Sequence, residues 1–134
     1  MNKEAIEQLR IDEGESLVIY YCTASAPTIG IGRNLEAGIT KEESNYLFMN
    51  DIARVKLELL SAVIRFYMLS FNRQYVLINM CFNLGLTRFM RFKKMLAALE
   101  CRDYEEAANQ MLDSKWAKQV GERSVRLAKK MLEG

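Results

Sequence analysis

The chain has 134 residues, half of them hydrophobic and 27% charged, with a net charge of only +2; that length suits one domain able to bury a core without disulfide or metal. The absence of histidine excludes Ser-His-Asp and Cys-His nucleophile systems and the usual His-containing zinc sites. A balance this close to neutral falls short of a nucleic-acid footprint, and no stretch approaches the roughly 18 uncharged apolar residues of a membrane span.

Residues 3–12 read as a short helix with Ala5, Ile6 and Leu9 on one face, ended by Gly14. Leu17 to Tyr21 is β-branched and aromatic, hence a strand, and Thr28 to Gly32 is a second extended piece that Pro27 introduces. Residues 23–26 close a hairpin, although Ala24-Ser25-Ala26 lacks the glycine or asparagine that tight turns favour. From Thr40 the apolar period changes from two to about 3.6. Thr40 with Glu43 is a capping box, and Leu47, Phe48, Ile52, Val55 and Leu59 follow at helical spacing. The apolar stretch 62–71 is either that helix continuing or another one in the core.

Residues 72–84 are apolar all round, which predicts a buried helix, with Gly85 as its stop. Further helices are predicted over 92–100, from an Asp103/Glu106 cap to Leu112, around Trp116, and from Gly121 to Leu132. Trp116, Tyr104 and Phe92 are assigned to the core. Residues 1–84 carry 8 basic and 10 acidic side chains and residues 85–134 carry 11 and 7, a mild cationic bias of ordinary solvated helix faces or of a surface drawn to a polyanion. The organisation is α+β and predominantly helical: a small lobe near 13–38, a helix near 40–60, and a helical lobe from 1–12 and 60–134.

The three cysteines, Cys22, Cys81 and Cys101, lack metal-type spacing. Cys81 sits in an apolar run and reads as buried filler; Cys101 falls in a helix–helix turn. Cys22 differs. Glu13 ends the first helix, Cys22 and Thr28 follow in the hairpin, and the local order gathers a carboxyl, a thiol and a hydroxyl. A carboxyl at a helix C-terminus faces the negative end of the macrodipole, which favours the protonated, proton-donating form.

The pattern Glu13, eight residues, Cys22, five residues, Thr28, set in Leu9-Arg10-Ile11-Asp12-Glu13-Gly14 and Thr28-Ile29-Gly30-Ile31-Gly32, resembles the active-site region of phage-type lysozymes, the muramidases of glycoside hydrolase family 24. Ile39 to Glu43 resembles the family's lead-in to its long inter-lobe helix, Ile78 to Gly85 its central helix, and Trp116 with Arg123 its C-terminal signature. The resemblance implies a lysozyme-like fold with a cleft between lobes. It implies an endolysin that hydrolyses the β-1,4 bond between N-acetylmuramic acid and N-acetylglucosamine of bacterial peptidoglycan. Glu13 is then the general acid, and no metal or cofactor is implied. Cys22 stands where many members carry aspartate and would activate or replace water, with Thr28 positioning it.

The same resemblance implies Gly32, Phe82 and Gln110 as substrate contacts, although Phe82 by itself reads as core. Arg123 is expected to approach Glu13. Arg33 stands where members have histidine, and Asp51 aligns with that histidine's partner, so an Arg33–Asp51 ion pair is expected. The small lobe is expected to be trimmed relative to larger phage enzymes. A monomer without stable membrane insertion is expected, held in the host cytoplasm and released to the wall through a holin. The other reading is a catalytically silent lysozyme-fold module that binds cell wall or a protein.

Overall fold

The computed structural model describes all 134 residues and divides them into two compact units, Met1–Tyr46 and Leu47–Gly134. In the first, helix α1 (Lys3–Glu13) starts where the Asn2 side chain accepts the Ala5 N–H at 2.8 Å, and stops at Gly14, whose φ of +71° a side chain would resist. Residues 1–12, which the sequence assigned to the helical lobe, therefore group with the strands. Strands β1 (Ser16–Tyr21), β2 (Pro27–Gly30) and β3 (Arg33–Asn34) form an antiparallel sheet in that order. Tyr20 faces Thr28, Tyr21 faces Pro27 and Ile29 faces Arg33, while the β1–β2 register is irregular between Ser16 and Tyr20.

The hairpin turn solves its lack of glycine by placing Ser25 at φ +60°, its N–H on the Cys22 carbonyl at 2.8 Å. The two-residue β3 was not foreseen; it is too short for an alternating pattern to show. Burial in this unit is thin: only Ala26 and Thr28 are buried, and Leu17, Val18 and Tyr21 are exposed.

Helix α2 (Lys41–Ala62) opens with the expected capping box: Thr40 Oγ1 accepts the Glu43 N–H at 3.1 Å, and Glu43 Oε2 accepts the Thr40 N–H at 3.0 Å. The second unit holds the rest of α2 and then α3 (Phe71–Leu84), α4 (Leu86–Phe89), α5 (Lys93–Glu100), α6 (Tyr104–Leu112), α7 (Lys115–Val120) and α8 (Glu122–Glu133). Its core includes Leu59, Leu77, Met80, Phe89, Met95, Met111, Trp116 and Met131. Ser70, Asp103 and Ser114 cap α3, α6 and α7 through their side chains.

Segment 62–71 is neither of the two helices considered. Helix α2 ends at Ala62, Arg65 turns the chain at φ +58°, and one 3-10 turn, Phe66–Met68, buries Phe66 while Tyr67 and Met68 stay exposed. Helix α3 is not buried all round either. Val76, Leu77, Met80 and Cys81 form its one buried stripe, and Phe71, Tyr75 and Phe82 lie off it, exposed. Apolar residues on the far face misled the periodicity argument. Trp116 is buried as expected, and Phe92 and Tyr104 are half-buried against the same core.

Arg73 joins α3 to α8. Its Nε donates to the Met131 carbonyl at 2.8 Å and Nη2 to the Leu132 carbonyl at 3.1 Å, and its guanidinium stacks 3.4 Å above the Tyr104 ring. These carbonyls are among those a helix C-terminus leaves without partners.

Candidate active site

Five of the expected site residues lie in the first unit: Glu13, Cys22, Thr28, Gly32 and Arg33. Glu13 is the last residue of α1 and is exposed. No cation of its own unit pairs with it, since Arg10 is engaged with Glu7 and Glu15. Its carboxylate lies over Gly32: a Cβ built on Gly32 would come within 2.8 Å of Glu13 Oε2. Gly32 also sits at φ +72°. Both the close approach and the backbone therefore call for glycine here. Gly30, by contrast, has open space around its missing side chain.

Cys22 and Thr28 meet at the far end of the same hairpin. The Cys22 thiol is half-buried and free. Hydrogen bonds with the Ala26 and Ala24 backbone foremost hold its pKa below the usual thiol value; desolvation opposes them, and the Thr28 hydroxyl adds a lesser lowering. Such donors stabilise the thiolate. Thr28 is buried, and its Oγ1 donates to the Ala26 carbonyl at 3.0 Å. A hydroxyl carries one hydrogen, so Thr28 serves either that carbonyl or the sulfur at a given moment. The pair can thus respond to charge on Cys22 without moving the backbone.

Residues 10–131 match the sequence profile of the family described as Phage lysozyme. The chain belongs to the phage lysozyme family. It is 30% identical over 168 residues to the pre-baseplate central spike protein Gp5 of Enterobacteria phage T4, covering 99% of this chain but only 28% of that protein. It is 30% identical over 151 residues to the protein named Probable T4-type lysozyme 2 of Dictyostelium discoideum, covering 90% of this chain and 89% of the relative. The endolysin of Salmonella phage P22 is 29% identical over 121 residues, with 84% and 81% covered. The 168 aligned residues exceed this chain's 134, so that relative carries stretches without a counterpart here. No helix is long and apolar enough to cross a membrane.

Phe82, Arg123 and Gln110 fall into two separate cavities of the second unit. Phe82, 40% exposed, meets Phe48 edge to face with centroids 5.8 Å apart. Both line a groove of about 500 Å³ with Tyr75, Asn79 and Arg123. Arg123 is oriented there by Asn79, whose Oδ1 accepts from its Nε at 2.9 Å, and Asn79 Nδ2 in turn donates to the Tyr75 hydroxyl at 3.1 Å. Gln110 belongs elsewhere. It lines a cavity of about 710 Å³ whose other walls include Arg88, Arg91, Lys93, Lys94 and Lys115, with Asp113 the one acid, and it donates to Glu106 at 2.6 Å.

Arg33 corrects an expectation. Its guanidinium grips Glu43, Nη1 to Oε2 at 2.7 Å and Nη2 to Oε1 at 2.6 Å, while Asp51 faces Arg54 at 3.6 Å. Hydrogen bonds from Arg33 foremost, with the Thr40 N–H, hold the Glu43 carboxyl down to about 2. Glu43, Asn79 and Tyr75 are side chains that the sequence did not assign to the site. The capping box had already singled out Glu43, and Asn79 lies within the central-helix motif.

Proposed function

We propose that this phage-lysozyme-family chain is a muramidase that hydrolyses the β-1,4 bond between N-acetylmuramic acid and N-acetylglucosamine in bacterial peptidoglycan. One observation carries the reading: a thiol favoured toward its anion, beside a hydroxyl, shares a hairpin unit with an exposed carboxyl that no cation of that unit pairs. Glycoside hydrolysis ordinarily needs a proton donor to the leaving oxygen and a second group that activates or replaces water. Glu13 is the acid of this proposal. Cys22 takes the second part, and Thr28 orients the water or the thiolate. Gly32 lets the acid and the glycan backbone come close. Phe82 and Gln110 contribute glycan contacts from the second unit, and Arg123, held by Asn79, is a supporting cation. Arg33 supports the hairpin, while Asp51, paired within α2, drops out of the machinery.

The cationic lining around Gln110 suits peptidoglycan, whose peptide stems carry carboxylates. No step requires a metal or cofactor. Within the reading the chain acts as a monomer and reaches the wall from the host cytoplasm with a holin's help, causing lysis. The P22 endolysin supports that route; the T4 spike protein supports carriage on a virion.

The test is loss of turbidity of outer-membrane-permeabilised Gram-negative cells, comparing wild type with Glu13→Gln. Wild type is expected to clear the suspension and the variant to lose at least about a hundredfold in rate, the scale of a general acid's contribution. Equal clearing by both would remove Glu13 from the mechanism. Wall binding without any clearing by the wild type would leave the silent glycan-binding module standing.

A further inference from the structure

We propose that Glu43 is a positioning residue for Glu13, acting through Arg33 and the turn that carries Gly32; the inference rests on the reading of Glu13 as the acid. A capping box needs only one oxygen of its glutamate, and here Oε2 fills that part with the Thr40 N–H at 3.0 Å. The same carboxylate also takes both guanidinium nitrogens of Arg33, at 2.6 and 2.7 Å. That two-pronged grip has a fixed direction as well as an attraction. It fastens the first residue of β3 to the first turn of α2.

Arg33 follows Gly32 directly, and Gly32 is the residue on which the Glu13 carboxylate rests. Two glycines at positive φ, Gly30 at +68° at the end of β2 and Gly32 at +72° in the turn, lead the chain from β2 to β3. Glycine leaves a backbone free to wander. Apolar packing does little to restrain it, because Ala26 and Thr28 are the only buried residues of the unit. The β2–β3 pairing of Ile29 with Arg33 closes the turn, and the side-chain anchor at Arg33 adds the restraint that ties Gly32 to α2 beneath the carboxylate. Its other end is Glu43, which α2 holds rigidly through Thr40.

Substitutions separate the anchor from the cap. Glu43→Gln keeps an oxygen for the Thr40 N–H and loses the charge and the second acceptor for Arg33. Thr40→Ala removes the hydroxyl half of the cap and leaves the Arg33 grip. Steady-state hydrolysis of labelled peptidoglycan is expected to show kcat down about tenfold or more in Glu43→Gln with KM within about twofold, since a misplacement near 1 Å costs on the order of a hundredfold. Thr40→Ala is expected to keep kcat. Arg33→Gln should match Glu43→Gln, and the double variant should be no worse than either, because both break one link.

The carboxyl ¹³C resonance of Glu13 provides a second readout that holds whether or not Glu13 is the acid. It is expected to move in Glu43→Gln and Arg33→Gln and to stay in Thr40→Ala. An unmoved resonance in Glu43→Gln, or an equal shift in Thr40→Ala, overturns the inference. A moved resonance together with full activity of Glu13→Gln would instead overturn the acid role and leave the positioning intact.

Discussion

Replacing Gly32 by alanine tests the proposed site at its tightest point. The added methyl would stand 2.8 Å from Glu13 Oε2 and 3.5 Å from its Cδ, so the carboxylate must retreat by about half an ångström to regain ordinary contact. The carboxylate is the end of a flexible side chain, so that retreat costs the fold little. The backbone cost is separate: φ at Gly32 is +72°, and an alanine held in the left-handed region costs about 1–2 kcal/mol. Gly38 supplies the control, with φ +79° and nothing within 4 Å of its missing Cβ. Gly38→Ala should lose the same 1–2 kcal/mol, measured by urea unfolding, and keep its lytic rate. Gly32→Ala should lose that stability and also about tenfold in rate, since catalytic groups tolerate displacements of only about 0.5 Å. Equal lytic rates for the two variants would refute the claim that Gly32 sets the position of the acid.

Three further outcomes are expected. Glu43 titrates near 2 in the fold against an ordinary value of 4.5, so its contribution to stability is complete above about pH 4.5 and is lost as pH falls toward 2. Thermal unfolding of wild type and Glu43→Gln should therefore converge between pH 5 and 2, and a constant gap would contradict the linkage. Arg73→Ala removes two charged hydrogen bonds to the end of α8 and the stacking on Tyr104, and should cost roughly 2 kcal/mol; a loss below about 0.5 kcal/mol would show these contacts to be incidental. Lysine there should recover little, because it lacks the planar fork. Alkylation of the native protein should modify Cys22 and Cys101 and spare Cys81, which is buried and pushed up to about 11, chiefly by desolvation. In a variant with Cys22 as its only thiol, the reaction should abolish lysis; unchanged lysis would make the thiol dispensable.

The helical part of the fold was readable because its signals are local. Thr40, Asp103 and Gly85 each mark an end through one or two hydrogen bonds to residues three or four away, and all three stand where the sequence put them. What failed was decided at longer range. The break between α2 and α3 depends on Arg65 accepting φ +58° so that Phe66 can reach the core, and neither glycine nor proline announces it. Phe82 and Tyr75 are apolar without being core, because packing takes only the stripe Val76, Leu77, Met80 and Cys81. A helix with apolar residues on two faces does not say which face finds neighbours.

The site divides in the same way. The close pairing of Cys22 with Thr28 follows from hairpin register, which strands one turn apart nearly dictate. The partner of Arg33 does not follow from alternation or spacing, since α2 offers Glu42, Glu43, Asp51 and Glu58 to any cation nearby. Helix geometry could still have chosen among them. A capping-box glutamate reaches back past the N-terminus of its helix toward the chain that precedes it, and Arg33 lies on that preceding chain, ten residues before Glu43. Asp51 is eight residues further along α2, about 12 Å down the axis at 1.5 Å per residue. The acid that already bends back to cap a helix is therefore the better partner for a cation arriving from upstream, and a resemblance-based alignment to Asp51 overlooks that direction.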